Sequence, residues 1–168
     1  MLTRLSDGTR VVIRQIRPDD KRLLEKGLAL LSEETRRRRF LGAKPRLSAA
    51  ELRYLTEVDG AAHFALVAVL ADQLDHVVAV ARYVRLPDDP ATADAAIVVG
   101  DPWQRRGLGR RLAIMLADAA RLHGIERFSA TMLSDNPAAL ALMRTLSRRL
   151  ESGAHAGGVR EVVAPLAA

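Results

Sequence analysis

The decisive stretch of this sequence is Gln104-Arg105-Arg106-Gly107-Leu108-Gly109-Arg110-Arg111. An apolar run over 95–99 precedes it and is typical of a strand, and a helical pattern follows over 112–123. The first amides of a helix have no backbone partner, and the helix dipole adds about half a positive charge there. Glycine lets a ligand approach the backbone closely. This strand, glycine turn and helix, surrounded by arginines, therefore predict a pyrophosphate site.

Length and composition indicate one domain with a sizeable core. The chain has 168 residues, of which 49% are hydrophobic. It has no cysteine, which excludes a disulfide scaffold, a thiolate zinc site and a cysteine nucleophile, and which fits a reducing cytosol. We find no secretory signal and no apolar run of about 18 residues, so we expect a cytoplasmic protein without a membrane span.

The net charge of +6 fits anionic partners such as phosphates, and it fits equally a solvated, arginine-rich surface. The run from Arg36 to Arg39 is typical of one exposed face of a short helix. Aromatic residues make up only 4% of the chain, so a nucleic-acid site is disfavoured. The four histidines have no metal-binding spacing, and we expect no metal site.

Alternating and periodic hydrophobic patterns predict a mixed α/β chain. Strands are predicted over 9–16, His63–Leu70, 76–84, Thr92–Val99 and Arg127–Leu133. Helices are predicted over 18–31, Glu33–Phe40, Ala49–Thr56, 107–123 and 137–148. Ser32 and Ser48 are the predicted N-caps of the second and third helices, and Glu51 stands where a capping box needs an acid. The tail, 150–168, is predicted to hold one or two weak strands around Gly157 and Gly158. The strand–helix–strand–helix order over 92–148 implies a parallel pair of strands.

Three parts of the sequence resemble one enzyme family, the GCN5-related N-acetyltransferases (GNAT). The loop beginning at Gln104 resembles the family's Q/R-x-x-G-x-G/A pyrophosphate loop, and the stretch 135–140 resembles its second motif, an Asn followed by a helix. The segments 16–20, 31–36 and 55–59 resemble the catalytic domain of bacterial Pat-type protein lysine acetyltransferases. The resemblance covers about residues 9–150.

The resemblance implies a single-domain α/β GNAT fold over 9–166, with residues 1–8 as a short N-terminal extension. Such a fold has a mixed, mostly antiparallel sheet of six to seven strands that is splayed between the family's fourth and fifth strands and flanked by helices. The apolar strands near the C-terminus could pair across a homodimer.

The resemblance also implies acetyl-CoA as co-substrate and an amine that attacks the thioester directly. An alkylammonium has a pKa near 10.4 and needs a base at neutral pH. Pat-like relatives carry a Glu ten residues before the loop's Gln. Here that position is Asp94, which keeps the charge on a shorter side chain. The alternative is a solvent-facing aspartate at the start of a strand.

The resemblance also implies which positions of this sequence contact the coenzyme. The backbone near Val98 and Val99 would pair with the pantetheine arm and supply an oxyanion donor. Asn136 would bond that arm or a bound water, or it would cap the following helix. The pyrophosphate would lie on the loop residues Gln104, Arg105, Arg106, Gly107, Leu108, Gly109 and Arg110.

Several functions remain open on this sequence. Among acceptors, a protein lysine leads, because of the Pat-like N-terminal half, and a small-molecule amine follows. The run from Arg36 to Arg39 could dock an acidic protein substrate near the acceptor cleft. Met143 stands where many relatives have a Tyr that protonates the leaving thiolate. Together with Asp94 in place of Glu, this keeps open a non-catalytic acyl-CoA-binding sensor or interaction module. A dinucleotide-binding loop is disfavoured because Leu112 replaces the third small residue, and a P-loop because no Gly-Lys-Ser/Thr follows.

Overall fold

The fold is one eight-stranded sheet with helices on both faces, in a computed structural model that describes residues 1–166. The strand order is β1-β2-β3-β4-β5-β6-β8-β7, and the β5–β6 pair is parallel while the other neighbours are antiparallel. The strands are β1 (Leu2–Arg4), β2 (Arg10–Gln15), β3 (His63–Leu70), β4 (Gln73–Arg85), β5 (Thr92–Val99), β6 (Arg127–Leu133), β7 (Glu151–Ala156) and β8 (Val159–Pro165).

Five α-helices lie within residues 1–166, and three of them begin at a capping side chain, Ser32, Ser48 or Asn136. Ser32 accepts from the Thr35 amide at the start of α2, and Ser48 and Glu51 form a reciprocal capping box at α3. A short 3₁₀ turn, Pro18–Asp20, replaces the first predicted turn of α1. The helices are α1 (Lys21–Leu30), α2 (Glu33–Phe40), α3 (Ala49–Thr56), α4 (Leu108–Leu122) and α5 (Pro137–Leu146).

The sheet has one or two more strands than the six to seven predicted. β1 forms within the stretch assigned to an N-terminal extension and pairs with β2. Near the C-terminus, β7 and β8 form a complete hairpin, because Gly157 and Gly158 both adopt positive φ (60° and 76°). Helix α5 ends at Leu146, two residues before the predicted end at residue 148. The domain limits of 9–166 stay a prediction.

The main core lies between the sheet and α4. Its fully buried members include Tyr83, Leu112, Leu116 and Phe128. Smaller clusters on the opposite face pack the sheet against α1 and α3, with Leu24 and Leu52 among their members. No helix within residues 1–166 is long and apolar enough to cross a membrane.

The sheet opens between β5 and β6, which are the family's fourth and fifth strands. Their register runs only from Thr92 opposite Arg127 to Asp94 opposite Ser129. Beyond these pairs β5 continues to Val99 while β6 continues to Leu133, and the two strands share no further pairing. The predicted splay is therefore present, and it leaves a cleft at the carboxyl end of the parallel pair.

Candidate active site

A cleft of about 460 Å³ fills the space between the diverging strands. Its walls come from β5, β6, the loop after β5, the first half of α4, the length of α5 and one side of α2. It contains eight of the residues predicted from the sequence: Val98, Val99, Gln104, Arg105, Gly107, Gly109, Arg110 and Asn136. A single cleft thus brings together segments that are up to 111 positions apart in the chain, from Thr35 to Leu146.

The loop after β5 opens the amide end of α4 toward this cleft. Gly107 is the N-cap of α4 and has φ 84°, a left-handed conformation that suits glycine. Arg105 also has positive φ, at 59°. A Cβ atom on Gly109 would lie 3.4 Å from the Leu142 side chain, so a side chain here would narrow the space between α4 and α5. The open amides and the α4 dipole give the cleft an anion-binding end.

The side chains of this loop do not all face the cleft. Arg106 pairs with Asp7, and Leu108 is fully buried in the core, so only their backbone can reach a ligand in the cleft. Gln104 Nε2 donates to the Val99 carbonyl at 3.0 Å and to Thr35 Oγ1 at 3.2 Å. Gln104 therefore ties the loop to both β5 and α2. Arg110 is exposed and lines the cleft.

The backbone of β5 presents alternate groups to the cleft. The Gly100 amide donates to the Val78 carbonyl on β4 at 2.8 Å. Because successive residues of a strand face opposite neighbours, the backbone groups of Val98 face β4, and those of Ile97 and Val99 face the gap. The structure thus favours Ile97 and Val99 over the predicted Val98 as backbone partners for a ligand. Val98 contributes its side chain to the cleft.

Asn136 caps α5. Its Oδ1 accepts from the Ala139 amide at 3.1 Å, and the residue is only 7% exposed. The capping interpretation of Asn136 is therefore confirmed. Since Asn136 also lines the cleft, its side-chain Nδ2 can still donate to a bound molecule.

Asp94 lies where β5 and β6 stop pairing. It is opposite Val84 on β4, and it shares a sheet face with Val98 and with Arg82. Desolvation by the surrounding protein raises the pKa of the Asp94 carboxyl, Arg39 lowers it and Glu161 raises it further. Asp94 is exposed and does not itself line the cleft, although its neighbour Ala95 does. A carboxylate with a raised pKa is a better proton acceptor than an ordinary aspartate.

Neither tyrosine replaces the proton donor missing at Met143. Tyr83 is fully buried in the core, and its hydroxyl contacts the Ala61 carbonyl at 3.0 Å and His123 Nδ1 at 2.9 Å. Burial raises the pKa of Tyr83 to about 12. Tyr54 is exposed and lies against His63, with 4.8 Å between ring centroids. Within residues 1–166, no group of His, Asp or Glu side chains has a metal-binding arrangement.

Helix α2 contributes residues to the cleft that were not among the predicted site residues. Its four consecutive arginines do not share one exposed face. Arg37 and Arg38 pair with Glu34, while Arg38 and Arg39 also line the cleft. Four successive helical residues point in different directions, so the run alone gives no sign of which arginines face inward.

Asp101, in the loop after β5, holds α2 against that loop. Asp101 accepts from the Ser32 amide at 3.0 Å, from Ser32 Oγ at 2.6 Å and from Thr35 Oγ1 at 2.8 Å. These bonds give the free donors at the start of α2 a hydrogen-bond partner that is distant in sequence. Helix α2 is thereby held over the cleft.

Comparison with known proteins identifies the class that this fold and cleft define. The model of the acetyltransferase (GNAT) family matches residues 28–147. Acetyltransferase Pat of Mycolicibacterium smegmatis is 37% identical over 134 residues, which cover 80% of this chain and 40% of that protein. The GNAT domain of S. lividans PAT superposes with a TM-score of 0.86 at 28% identity, covering 99% of this chain and 96% of that domain.

The chain belongs to the GNAT family of acetyltransferases, as the resemblance predicts. Acetyl-CoA is the co-substrate of that family. The yncA protein of Salmonella typhimurium, solved with its cofactor acetyl-CoA, shares the fold with a TM-score of 0.68 at 19% identity and 94% coverage of each chain. The chain spans about 40% of the length of the Mycolicibacterium relative.

Proposed function

We propose that this chain transfers an acetyl group from acetyl-CoA to an amine, with a protein lysine as the leading acceptor. The observation that carries the proposal is the cleft between β5 and β6, which joins the anion-binding start of α4 to the free edge of β5 and extends to Ala95, the neighbour of Asp94. In this arrangement the α4 amides and Arg110 hold the pyrophosphate, and the Ile97 and Val99 backbone pairs with the pantetheine arm.

The reaction follows from the order of these groups along β5. The uncharged amine attacks the thioester carbonyl carbon, a C–N bond forms, and the negative charge on oxygen is stabilised by a backbone N–H at the free edge of β5. The C–S bond then breaks and CoA leaves as the thiolate. Asp94, directly or through water, accepts the proton that the nitrogen loses, and solvent protonates the thiolate.

The lysine acceptor is supported by similarity rather than by geometry. The two Pat proteins named above match 80% and 99% of this chain. A small-molecule amine is the second candidate acceptor, and an acyl-CoA-binding sensor is the alternative without turnover. The sensor is favoured by the shorter base, Asp94, and by Met143 at the usual position of the proton donor. The cytoplasmic location and the homodimer also remain predictions.

Release of free CoA thiol tests the proposal. The purified chain is incubated with acetyl-CoA and, in separate reactions, lysine-containing peptides, polyamines and amino acids. We expect thiol release that depends on an amine and acetylated product of the matching mass. Acetyl-CoA binding without thiol release for any amine would favour the sensor.

A further inference from the structure

Two arginines, Arg82 and Arg39, lie on the side of the sheet that α1, α2 and α3 cover, and neither contacts a carboxylate in the part of the chain that the structure describes. Arg82 on β4 is opposite Ala96, between Val98 and Asp94 on the same sheet face. It is only 5% exposed. Its guanidinium contacts His63 Nε2 at 3.0 Å and donates to the Leu55 carbonyl at 3.1 Å. No acidic oxygen of residues 1–166 lies within 4 Å of it, although a buried charge normally has a charged partner.

Arg39 brings a second positive charge to the same region. It extends from α2, lies over the Phe40 ring at 4.9 Å from the centroid, and also forms no ion pair within the described chain. Desolvation and the charge of Arg39 lower the pKa of Arg82 to about 10. Desolvation lowers the pKa of Arg39, and the nearby Asp94 raises it. Arg39 therefore lies close enough to act on both Asp94 and Arg82.

A second cavity, of about 250 Å³, connects these arginines to the cleft. It lies between β4 and helices α1, α2 and α3, and it shares Arg39 and Val98 with the cleft. Its other walls are almost entirely apolar, and His76 is its remaining ionisable residue. An apolar cavity strengthens electrostatic interactions with the two arginines, because little water screens them.

This surplus of positive charge discriminates among amines. An acceptor that arrives as a simple ammonium is repelled by both guanidinium groups. An acceptor that also carries a carboxylate is attracted by both guanidinium groups. A carboxylate can accept charge-assisted hydrogen bonds from guanidinium groups, which are stronger than neutral ones.

We propose that the acceptor carries a carboxylate close to its reacting amine, and that Arg39 and Arg82 bind this carboxylate while the amine lies beside Asp94. The inference rests on the proposed acetyl transfer and specifies its substrate class. The carboxylate has two sources, an acidic side chain next to a lysine in a protein or the carboxylate of a free amino acid.

Matched acceptors test this inference. One pair of peptides has a lysine next to Glu or next to Gln, and one pair of small molecules is an amino acid and its amide. The measurement is kcat/KM for CoA release. For the pair that matches the true source, we expect the acid to exceed the amide by about 10-fold or more, mainly through KM. The pair that shows the difference identifies the source.

The variant Arg39→Gln should remove most of this preference, and Arg39→Lys should retain part of it. Arg53→Gln, an exposed arginine on α3 that lines neither cavity, is the control and should keep the full preference. Turnover with equal kcat/KM for acid and amide in both pairs overturns this inference and leaves acetyl transfer intact. Absence of turnover with every amine overturns the proposed function, and this inference with it.

Discussion

Asp94 is the residue on which the proposed chemistry depends most. Replacing it by Asn keeps the size and removes the proton acceptor. We expect Asp94→Asn to bind acetyl-CoA as the wild type does and to lower kcat by about 10²- to 10⁴-fold, the usual contribution of a positioned base. Calorimetric titration measures the binding, and thiol release measures the rate. An unchanged kcat would remove Asp94 as the base.

The pKa of Asp94 should respond to Arg39. Arg39 lowers this pKa, so Arg39→Gln should raise it further above the ordinary value for aspartate. The base is active only when deprotonated, and therefore the acid limb of the kcat profile should move to higher pH in the variant. An NMR titration of the Asp94 carboxyl carbon measures the shift directly. A pKa that falls or stays constant would show that Arg39 does not act on Asp94.

The conformation of Gly107 makes the start of α4 a direct test of the coenzyme loop. An aspartate there places negative charge where the pyrophosphate is expected. We expect Gly107→Asp to raise the Kd for acetyl-CoA by about 10-fold or more. Gly124→Asp is a matched control, because Gly124 also has positive φ (75°), also has open space around a Cβ, and lies past the other end of α4.

The contact between β2 and the turn before α1 depends on one buried carboxylate. Asp20 accepts from both Arg14 guanidinium nitrogens at 2.7 Å and from the Arg17 amide at 2.7 Å, and it is 7% exposed. We expect Asp20→Ala to lower the free energy of unfolding by about 2 to 3 kcal/mol, at or below the range for a fully buried pair. Urea unfolding measures this. Asp72→Ala, which breaks only the exposed pair with Arg10, should change it by less than about 1 kcal/mol.

The Arg14–Asp20 contact also predicts a pH dependence of stability. Burial raises the pKa of Asp20, but the bonds from Arg14 and Arg17 outweigh it and leave the pKa below its usual value. The stabilisation is therefore complete above the unfolded-state pKa, near 3.9, and is lost as pH falls through the lower folded-state pKa. Unfolding curves of wild type and Asp20→Ala should converge at acid pH. Curves that stay equally far apart would contradict this origin.

Elements with local signals could be predicted from the sequence, and those that depend on distant contacts could not. The turn at Gly107 into α4 and the caps at Ser32 and Ser48 each depend on a few neighbouring residues, and the structure contains all three. The inward direction of Arg39 depends on Asp101 holding α2 over the cleft, a contact between residues far apart in sequence. Likewise, strand β1 is three residues long and forms only because β2 offers a free edge.

Across the whole molecule, the two faces of the sheet carry different tasks. The α4 face holds the main core and positions the helix end that is proposed to bind the pyrophosphate. On the opposite face, Asp94 and Arg82 belong to the sheet and Arg39 extends from α2, and the two arginines are proposed to select the acceptor. The cleft passes between β5 and β6 and connects the faces. The sequence indicated the coenzyme loop and Asp94, but not the roles proposed for Arg39 and Arg82, because these depend on how α2 and α3 pack on the sheet.

The most direct test of the acetyl-CoA site in the cleft is a calorimetric titration of the chain with acetyl-CoA, with NAD and ATP as controls. We predict one acetyl-CoA per chain, no comparable binding of NAD or ATP, and a stabilisation of about 2.7 kcal/mol when free acetyl-CoA is held at 100 times its Kd. Absence of acetyl-CoA binding, or equal binding of the three nucleotides, would contradict the assignment of the cleft as an acetyl-CoA site.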